Sequence, residues 1–487
     1  MEEQSETSKN DQGDAWGPRK NIKPLDILLV NASFGRRHLD AVVARMPNIG
    51  LLSLASFCLS NDITVELLDT DLKQMGRDEI QAYANAVTLT PKYIGVSSTT
   101  ITIYEALDIC EIFKSRFPET VIIVGGAHAS VMPEHVLASP YVDIVVRREG
   151  EFALLELIKT RLPLEQIAGL SFKRNGEIVH NSDRELLRDL DLLPLPAYHL
   201  IDIGKCRPSL CCYKRLPAVP VLTSKGCTGN CSFCGTHVFG RGIRFKSPER
   251  VIEELAYLIK NYNVQEFVFY DDVFSASKAR TIDICNMIIN SGWDITWSCL
   301  CRADQTPRDL LLRMKEAGCH IISYGVESAD EGILATMNKR IDLSTVEETV
   351  QNCKELGIEQ RLAFMFGTPG ETLETMRRTF EFAKRLDPTY AVFNVTTPFP
   401  GSEMFISCEH KGAFISKDWR RFDGSESLLK LSTVTKQEVE QYCSMAREYF
   451  LNRHSEKQSR ETAARSFSQT ACPGAEKGPG CYSLRVK

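Results

Sequence analysis

The chain has 487 residues, of which 43% are hydrophobic and 25% charged, as expected for a globular protein with two or more domains. Its net charge of −5 gives no electrostatic argument for nucleic-acid binding, which would need a basic face. No apolar run is long enough to span a membrane, and residues 1–20 are polar and acidic, which excludes a usual signal peptide and predicts a cytoplasmic protein.

The first half of the chain alternates between strand-like and helix-like patterns. A polar lead-in, residues 1–24, is predicted to be disordered. Within the next unit, 25–165, continuous apolar strands are predicted at 25–30, 63–68, 93–97, 121–124 and 142–146. Helices between such strands favour a parallel sheet covered on both faces, which is the doubly wound, Rossmann-like α/β fold.

A proline-containing segment, 166–215, breaks this rhythm and is predicted to connect two domains. The second domain, 216–410, has predicted strands at 219–224, 266–270, 295–301, 321–326, 362–366 and 391–396. Six strand–helix units in succession favour a partial (β/α)6 barrel of the TIM type. A C-terminal helical region, 411–454, precedes a tail, 455–487, that is predicted to be disordered.

Three cysteines directly follow the first predicted barrel strand. Cys227, Cys231 and Cys234 are spaced Cys-x3-Cys-x2-Cys on a loop at the carboxyl end of that strand, where barrel active sites lie. Glycines at 226 and 229 allow the loop to fold tightly around a compact inorganic body. Thiolates bind iron–sulfur clusters, and three ligands for four irons leave one iron open to bind a substrate.

Two other interpretations of the triplet are less consistent with the sequence. Zinc commonly takes four ligands as two Cys-x2-Cys pairs, and no second pair stands nearby. Buried structural thiols would need neither the glycines nor the loop position. Most of the seventeen cysteines are nevertheless ordinary reduced thiols, and we have no argument that gives Cys206, Cys211, Cys212, Cys299 or Cys301 another role.

The triplet, with an aromatic residue before its last cysteine, resembles the signature of the radical S-adenosylmethionine (SAM) superfamily. Segments at later strand ends resemble the cobalamin-dependent branch of that superfamily, and the likeness covers residues 25–410. They are 269–274, 301–304, 324–328, 366–372 and 398–402.

The resemblance implies a 4Fe-4S cluster on the three cysteines and a SAM site on the barrel. It places Phe233 near the adenine, the backbone of Tyr270 and Asp271 at the methionine amino group, and Glu327 with Ser328 at amino or hydroxyl groups. Arg302 and Arg361 are placed to meet the SAM carboxylate, although either could form a salt bridge at the barrel rim. Glu327 could equally be a structural partner of a nearby Lys or Arg.

Small and hydroxyl residues follow the predicted strands of the first domain, where open sheets of this kind bind ligands. No G-x-G-x-x-G motif follows the first strand, which argues against a dinucleotide. The arrangement resembles the cobalamin-binding domain of the same branch, with Gly-Gly-x-His and Glu-Gly-Glu as recurrent features. The implied cobalamin-binding residues are Ser98, Thr99, Gly125, Gly126, His128, Glu149 and Gly150.

One departure concerns the lower face of the cobalt. No Asp-x-His-x-x-Gly motif occurs, so the resemblance implies base-off cobalamin without the usual histidine ligand. A lone histidine such as His128 is more often a hydrogen-bonded loop residue than a metal ligand. The domain could also dock the barrel and bind nothing, because a fold does not fix a function.

The resemblance implies an enzyme that methylates an unactivated carbon of a small-molecule substrate through a 5′-deoxyadenosyl radical and methylcobalamin, with an external one-electron reductant of flavodoxin or ferredoxin type. A cyclase or rearrangement enzyme with the same cofactors remains an alternative. A methylthiotransferase would need a second cysteine triplet, but only Cys58 and Cys110 precede residue 150. A non-catalytic redox or cobalamin sensor is disfavoured by the open iron. The substrate is expected between the domains, near 165–215 and 402–430.

Overall fold

The computed structural model describes residues 24–33, 44–209, 212–240 and 242–470, with backbone alone at 236–237 and 456–470. Nearly all of the predicted lead-in and residues 471–487 of the predicted tail lie outside these ranges. Among the described residues, no helix is both long and apolar enough to cross a membrane. The described chain forms two α/β units, each built on one large sheet.

The first sheet has seven strands in the order β2-β1-β3-β4-β5-β6-β7. The strands are β1 (Ile27–Asn31), β2 (Val65–Asp69), β3 (Tyr93–Ser97), β4 (Val121–Gly125), β5 (Ile144–Val146), β6 (Leu170–Arg174) and β7 (Glu177–His180). The helices of this unit are α1 (Ile49–Ser60), α2 (Arg77–Ala86), α3 (Ile103–Arg116), α4 (Ala127–Val131), α5 (Pro133–Leu137) and α6 (Glu151–Lys159). Separate apolar cores lie on the two faces, which confirms the doubly wound fold.

Strands β1 to β5 are parallel, and the strand order reverses between β1 and β3. Such a switch point opens a crevice for a ligand at the carboxyl ends of the strands. The five strands predicted for this unit form its parallel part, and two further strands at one edge were not predicted. Strands β6 and β7 are antiparallel and lie in the segment that was predicted to be only a connection. These strands are only five and four residues long, their burial does not alternate, and a Gly-containing turn joins them.

The second sheet confirms the partial barrel, with six strands in parallel and sequential order. In chain order the strands of this unit are β8 (Ala218–Val221), β9 (Ser224–Lys225), β10 (Arg244–Phe245), β11 (Glu266–Phe269), β12 (Thr296–Cys301), β13 (Cys319–Glu327), β14 (Glu359–Phe366) and β15 (Tyr390–Val395), of which β9 and β10 form a separate antiparallel pair. The helices are α7 (Pro248–Tyr262), α8 (Lys278–Ser291), α9 (Arg308–Glu316), α10 (Glu331–Thr336), α11 (Leu343–Leu356), α12 (Leu373–Leu386), α13 (Glu403–His410) and α14 (Lys436–Thr470).

The barrel strands carry two alternating sets of side chains. In β14, Leu362, Phe364 and Phe366 are buried against the helices, whereas the residues between them are only partly buried and face the opposite side. Helix α7 begins with Ser247 as its N-cap ahead of Pro248, and the Thr372 side chain caps α12. The carboxyl ends of all six strands therefore meet at one rim.

The C-terminal region does more than follow the barrel. Helix α14 begins by packing on β15 through Val439 and Cys443. The prediction of a disordered tail from residue 455 is wrong for 455–470, which continue this helix. Before α14, Trp419 and Phe422 are buried in the core of the first unit. After the barrel, the chain therefore returns to the first unit and packs against it.

Candidate active site between the two sheets

A cavity of about 850 Å³ joins the carboxyl ends of the two sheets. From the first sheet it is lined by Ser98, Thr99, Gly125, Gly126, Glu149 and Gly150, and from the second by Cys234 and Tyr270. The structure therefore brings together eight of the residues predicted from the sequence. Asp423, from the expected substrate region 402–430, also lines the cavity, whereas none of the described residues of 165–215 does.

The three predicted cluster ligands lie on the loop between β9 and β10, with partly exposed side chains. The Gly229 backbone N–H donates to Cys227 Sγ at 3.2 Å. A Cβ on Gly229 would lie 3.3 Å from Cys227 Sγ and 3.9 Å from Cys231 Sγ, so a side chain there would fill the space between these sulfurs. Among the described residues no three ligands converge on one metal ion. Cysteines that each bind a different iron of one cluster need not do so.

Positive charge surrounds this loop. Burial raises the pKa of the Cys231 thiol, and the charges of Lys339 and Arg302 oppose that rise by favouring the thiolate. The Arg302 guanidinium is held by two hydrogen bonds to the Asp304 carboxylate, at 3.0 and 2.8 Å. For Arg302 the structure therefore shows the rim salt bridge, placed beside the cysteines. Thiolate ligands, a small residue between them and nearby cations all fit an iron–sulfur cluster.

Asp271 anchors the start of the cysteine loop. Its fully buried carboxylate accepts hydrogen bonds from the Thr223 backbone N–H (3.1 Å), the Thr223 hydroxyl (2.9 Å) and the Ser224 hydroxyl. Burial raises the pKa of Asp271, and these donors act in the opposite direction. The side chain is thus occupied in joining the end of β11 to the end of β8, and the SAM contact predicted for this segment concerned its backbone.

Tyr270 projects into the cavity. Its side chain is 41% exposed, but that exposure is to a deep space enclosed by protein. Enclosure raises the pKa of Tyr270 to about 12, so its hydroxyl stays protonated at neutral pH. Its backbone N–H donates to the Val221 carbonyl at 2.9 Å and is part of the sheet.

Glu327 ends β13 in a left-handed conformation, with a φ of 71° at a bulge. Its carboxylate pairs with Lys339 at 3.3 Å, and both side chains are about one-tenth exposed. The Glu327 charge also acts on Cys231, which places this pair beside the cluster loop. A strained, buried carboxylate at a strand end is typical of a functional position, and its ion pair is the structural alternative noted from the sequence.

The other barrel residues that were predicted to bind SAM have different surroundings in the structure. Arg361 Nε is buried and has no hydrogen-bond partner among the described residues, but Arg361 does not line the cavity. Ser328 is fully buried, and its hydroxyl shares a hydrogen bond with Thr379 at 3.1 Å, a role in the fold. Phe233 packs against Met404 and Cys408 of α13 and not along the cavity. Their SAM contacts remain predictions.

The first sheet supplies a backbone cradle. Gly126 has a φ of 99°, and a Cβ there would overlap the Ser98 carbonyl oxygen. The cavity also reaches below the strand ends to Gly95 in the middle of β3, where a Cβ would lie 2.9 Å from a methyl group of Leu29. Apolar residues of α1 and α6 cover this extension. A rim of small residues over a deep slot fits a large ligand such as cobalamin.

His128 lies outside the cavity. It is fully buried, its Nδ1 is 3.3 Å from the Thr100 hydroxyl, and its Nε2 is 3.1 Å from His135 Nδ1. Trp419 Nε1 donates to His135 Nε2 at 3.2 Å. Burial lowers the pKa of His128 to about 3. This geometry supports a hydrogen-bonded structural role for His128, but the residue lies in α4 and not in a loop as predicted.

Several site residues were not predicted. Lys225 lines the cavity and pairs with Glu149 and Glu151, and Asp272 lines it beside Gly226. Lys225 stands two residues before the first ligand cysteine and Asp272 follows a predicted site residue, so position along the chain was an available signal. The thiols of Cys299 and Cys301 are buried in the barrel core, and Cys206 is buried as well, which supports a structural role for all three. Cys211 lies outside the described residues.

Comparison with known proteins places this architecture in a class. The radical SAM superfamily model matches residues 221–383, and the B12 binding domain model matches residues 38–158. The chain belongs to the cobalamin-dependent radical SAM enzymes. Its cofactors are accordingly a 4Fe-4S cluster, SAM and cobalamin.

Individual relatives agree with that assignment. The chain is 32% identical, over 86% of its length and 90% of the relative, to an uncharacterized methyltransferase of Pyrococcus horikoshii. It is 25% identical, over 85% of its length and 75% of the relative, to the anaerobic magnesium-protoporphyrin IX monomethyl ester cyclase of Rubrivivax gelatinosus. Its fold is similar to that of the radical SAM methyltransferase TsrM from Kitasatospora setae, with a TM-score of 0.67, 19% identity and coverage of 86% and 81% of the two chains.

Proposed function

We propose that the protein transfers a methyl group to an unactivated carbon of a small-molecule substrate. The observation that carries this proposal is the cavity shared by the two sheets, with Gly126 and Ser98 on one side and Cys234 and Tyr270 on the other. When bound there, SAM on the reduced cluster would supply a hydrogen-abstracting radical, and cobalamin would supply a methyl group. A second molecule of SAM would then provide cobalamin with a new methyl group.

The protein's own residues would position the reactants and keep out water. Asp271 holds the start of the cluster loop, and the cations Arg302 and Lys339 offset the negative charge of the thiolates. Tyr270 offers a protonated hydroxyl to a ligand in the cavity. Arg361, whose buried Nε–H has no partner among the described residues, would be the cation for the SAM carboxylate.

The similar cyclase makes cyclisation or rearrangement with the same cofactors the second candidate. A methylthiotransferase is disfavoured, because Cys58 and Cys110 are fully buried in the cores of the first unit. We also propose a cytoplasmic location and a flavodoxin or ferredoxin type of reductant. The lack of disulfide bonds among the described cysteines supports the location.

An experiment without the substrate separates the two candidates. Protein reconstituted without oxygen, with iron, sulfide and hydroxocobalamin, is reduced and given SAM labelled with ¹³C in its methyl group. Methyl transfer predicts labelled methylcobalamin and S-adenosylhomocysteine, whereas a cyclase predicts 5′-deoxyadenosine without either. The triple variant C227A/C231A/C234A is the control, and it should lose cluster absorption and 5′-deoxyadenosine formation while retaining bound cobalamin. Reconstituted wild-type protein without cluster absorption would contradict the proposal.

A further inference from the structure

Two acidic residues of the first unit reach across to the cluster loop. Glu149 and Glu151 flank Gly150 where α6 begins, and their side chains are 11% and 10% exposed. Lys225, two residues before Cys227, places its Nζ 3.2 Å from Glu149 Oε1 and 3.4 Å from Glu151 Oε1. The entrance of the cluster loop is therefore joined to the cobalamin-binding unit by ion pairs.

The exit of the loop is joined at the same point. Arg244 is the register partner of Lys225 in the β9–β10 pair, and its Nη1 lies 2.9 Å from Glu149 Oε1. The same nitrogen donates to the Leu187 carbonyl at 2.7 Å, and the Leu187 N–H donates to Glu149 Oε2 at 3.1 Å. Glu149 thus receives a donor from each end of the loop and one from the segment between the domains.

The four charges balance, with two carboxylates against two cations. Because each is largely buried, separating them would leave buried charges without compensation. The α6 N-terminus also favours the acidic side chains. The segment that carries Trp419 and Phe422 already joins the two units through apolar contacts. Holding the units together therefore does not require this network of ion pairs.

We propose that Lys225, Arg244, Glu149 and Glu151 are positioning residues that fix the cluster loop against the cobalamin-binding unit and so set the separation of the two cofactors. The inference rests on the proposed function in that both cofactors must share the cavity. It assigns the Glu-Gly-Glu segment, which was predicted from resemblance to bind cobalamin, a second task at the domain interface. Reaction between cofactors depends steeply on their separation, and a misplacement of about 1 Å can cost about 100-fold in rate.

The test measures that separation directly. The reduced cluster and cob(II)alamin are both paramagnetic, so pulsed electron paramagnetic resonance reports the distribution of distances between them. The variants are K225M, which keeps most of the side-chain length but removes the positive charge, and K225R, which retains a positive charge. The control is K246M, because Lys246 forms a similarly buried pair with Glu254 at 2.5 Å, but within the barrel.

Wild type, K225R and K246M should give one narrow distance. K225M should keep its iron and cobalamin content, lose the narrow distance and transfer the SAM methyl group to cobalamin about 100-fold more slowly. An unchanged narrow distance in K225M overturns the positioning role. If K225M does not assemble a cluster, E151Q decides by the same measurement, since it weakens the network from the other domain. Wild type lacking either paramagnetic signal would instead overturn the two-cofactor assignment.

Discussion

Replacing His128 by Phe should remove a large part of the acid sensitivity of this protein. Trp419 Nε1 can only donate, so His135 Nε2 accepts and the proton of His135 resides on Nδ1. His135 Nδ1–H then donates to His128 Nε2, and His128 Nδ1–H donates to the Thr100 hydroxyl. A second proton on His128 would bind at Nε2, where it would face the Nδ1–H of His135 and break this hydrogen bond.

The magnitude follows from linkage. Burial, followed by the neighbouring His135, lowers the pKa of His128 from its usual 6.5 to about 3. A depressed histidine pKa means that the unfolded chain binds more protons, so the stabilisation is complete above pH 6.5 and is lost as the pH falls toward 3. At pH 5 the loss from His128 is about 2 kcal/mol. H128F leaves His135 and Thr100 without these partners and should cost about 2 kcal/mol at pH 7.

Urea unfolding of wild type and H128F at pH 7 and pH 5 tests this reasoning. The variant should be less stable at pH 7 and nearly equal to wild type at pH 5, because only wild type loses the His128 contribution. H199F, which changes an exposed histidine, is the control and should follow wild type at both pH values. The same stability difference between wild type and H128F at both pH values would refute the assignment of the proton positions.

Three other changes test the site. G126A should destabilise by at least about 2 kcal/mol and reduce cobalamin retention, because its Cβ would overlap the Ser98 carbonyl oxygen; G176A, with a similar φ of 86° and open space, should cost only about 1 kcal/mol by the same unfolding assay. D271N should lower stability by about 2 kcal/mol and reduce the iron bound per chain, since an amide cannot accept from all three donors of Thr223 and Ser224; full iron content would contradict its anchoring role. K339M should cost about 3 kcal/mol in a denaturant titration by leaving the Glu327 carboxylate without its ion-pair partner, whereas K339R should not.

Local patterns determined much of the architecture. Apolar runs at strand length, separated by amphipathic helices, predicted the doubly wound unit and all six barrel strands, because a buried parallel strand requires such a run. The Cys-x3-Cys-x2-Cys spacing after a strand predicted the cluster loop, since that spacing and its glycines act within one loop. The strand ends around Ser98 and Gly126 were predicted to form a ligand site, because parallel strands present their carboxyl ends at one edge.

Contacts between distant segments were decided only by the tertiary structure. The sequence gives no sign that Glu149 meets Lys225, 76 positions later, or that Trp419 completes a chain begun by Thr100 and His128. Strands β6 and β7 were missed because their short pattern is stable only as an edge on an existing sheet. Residue type and spacing fix local geometry, whereas which charges and rings become neighbours depends on how two units pack. The packing of the two units brings Glu149 against the cluster loop. It also places Trp419 where it completes the hydrogen bonds that run through His135 to His128.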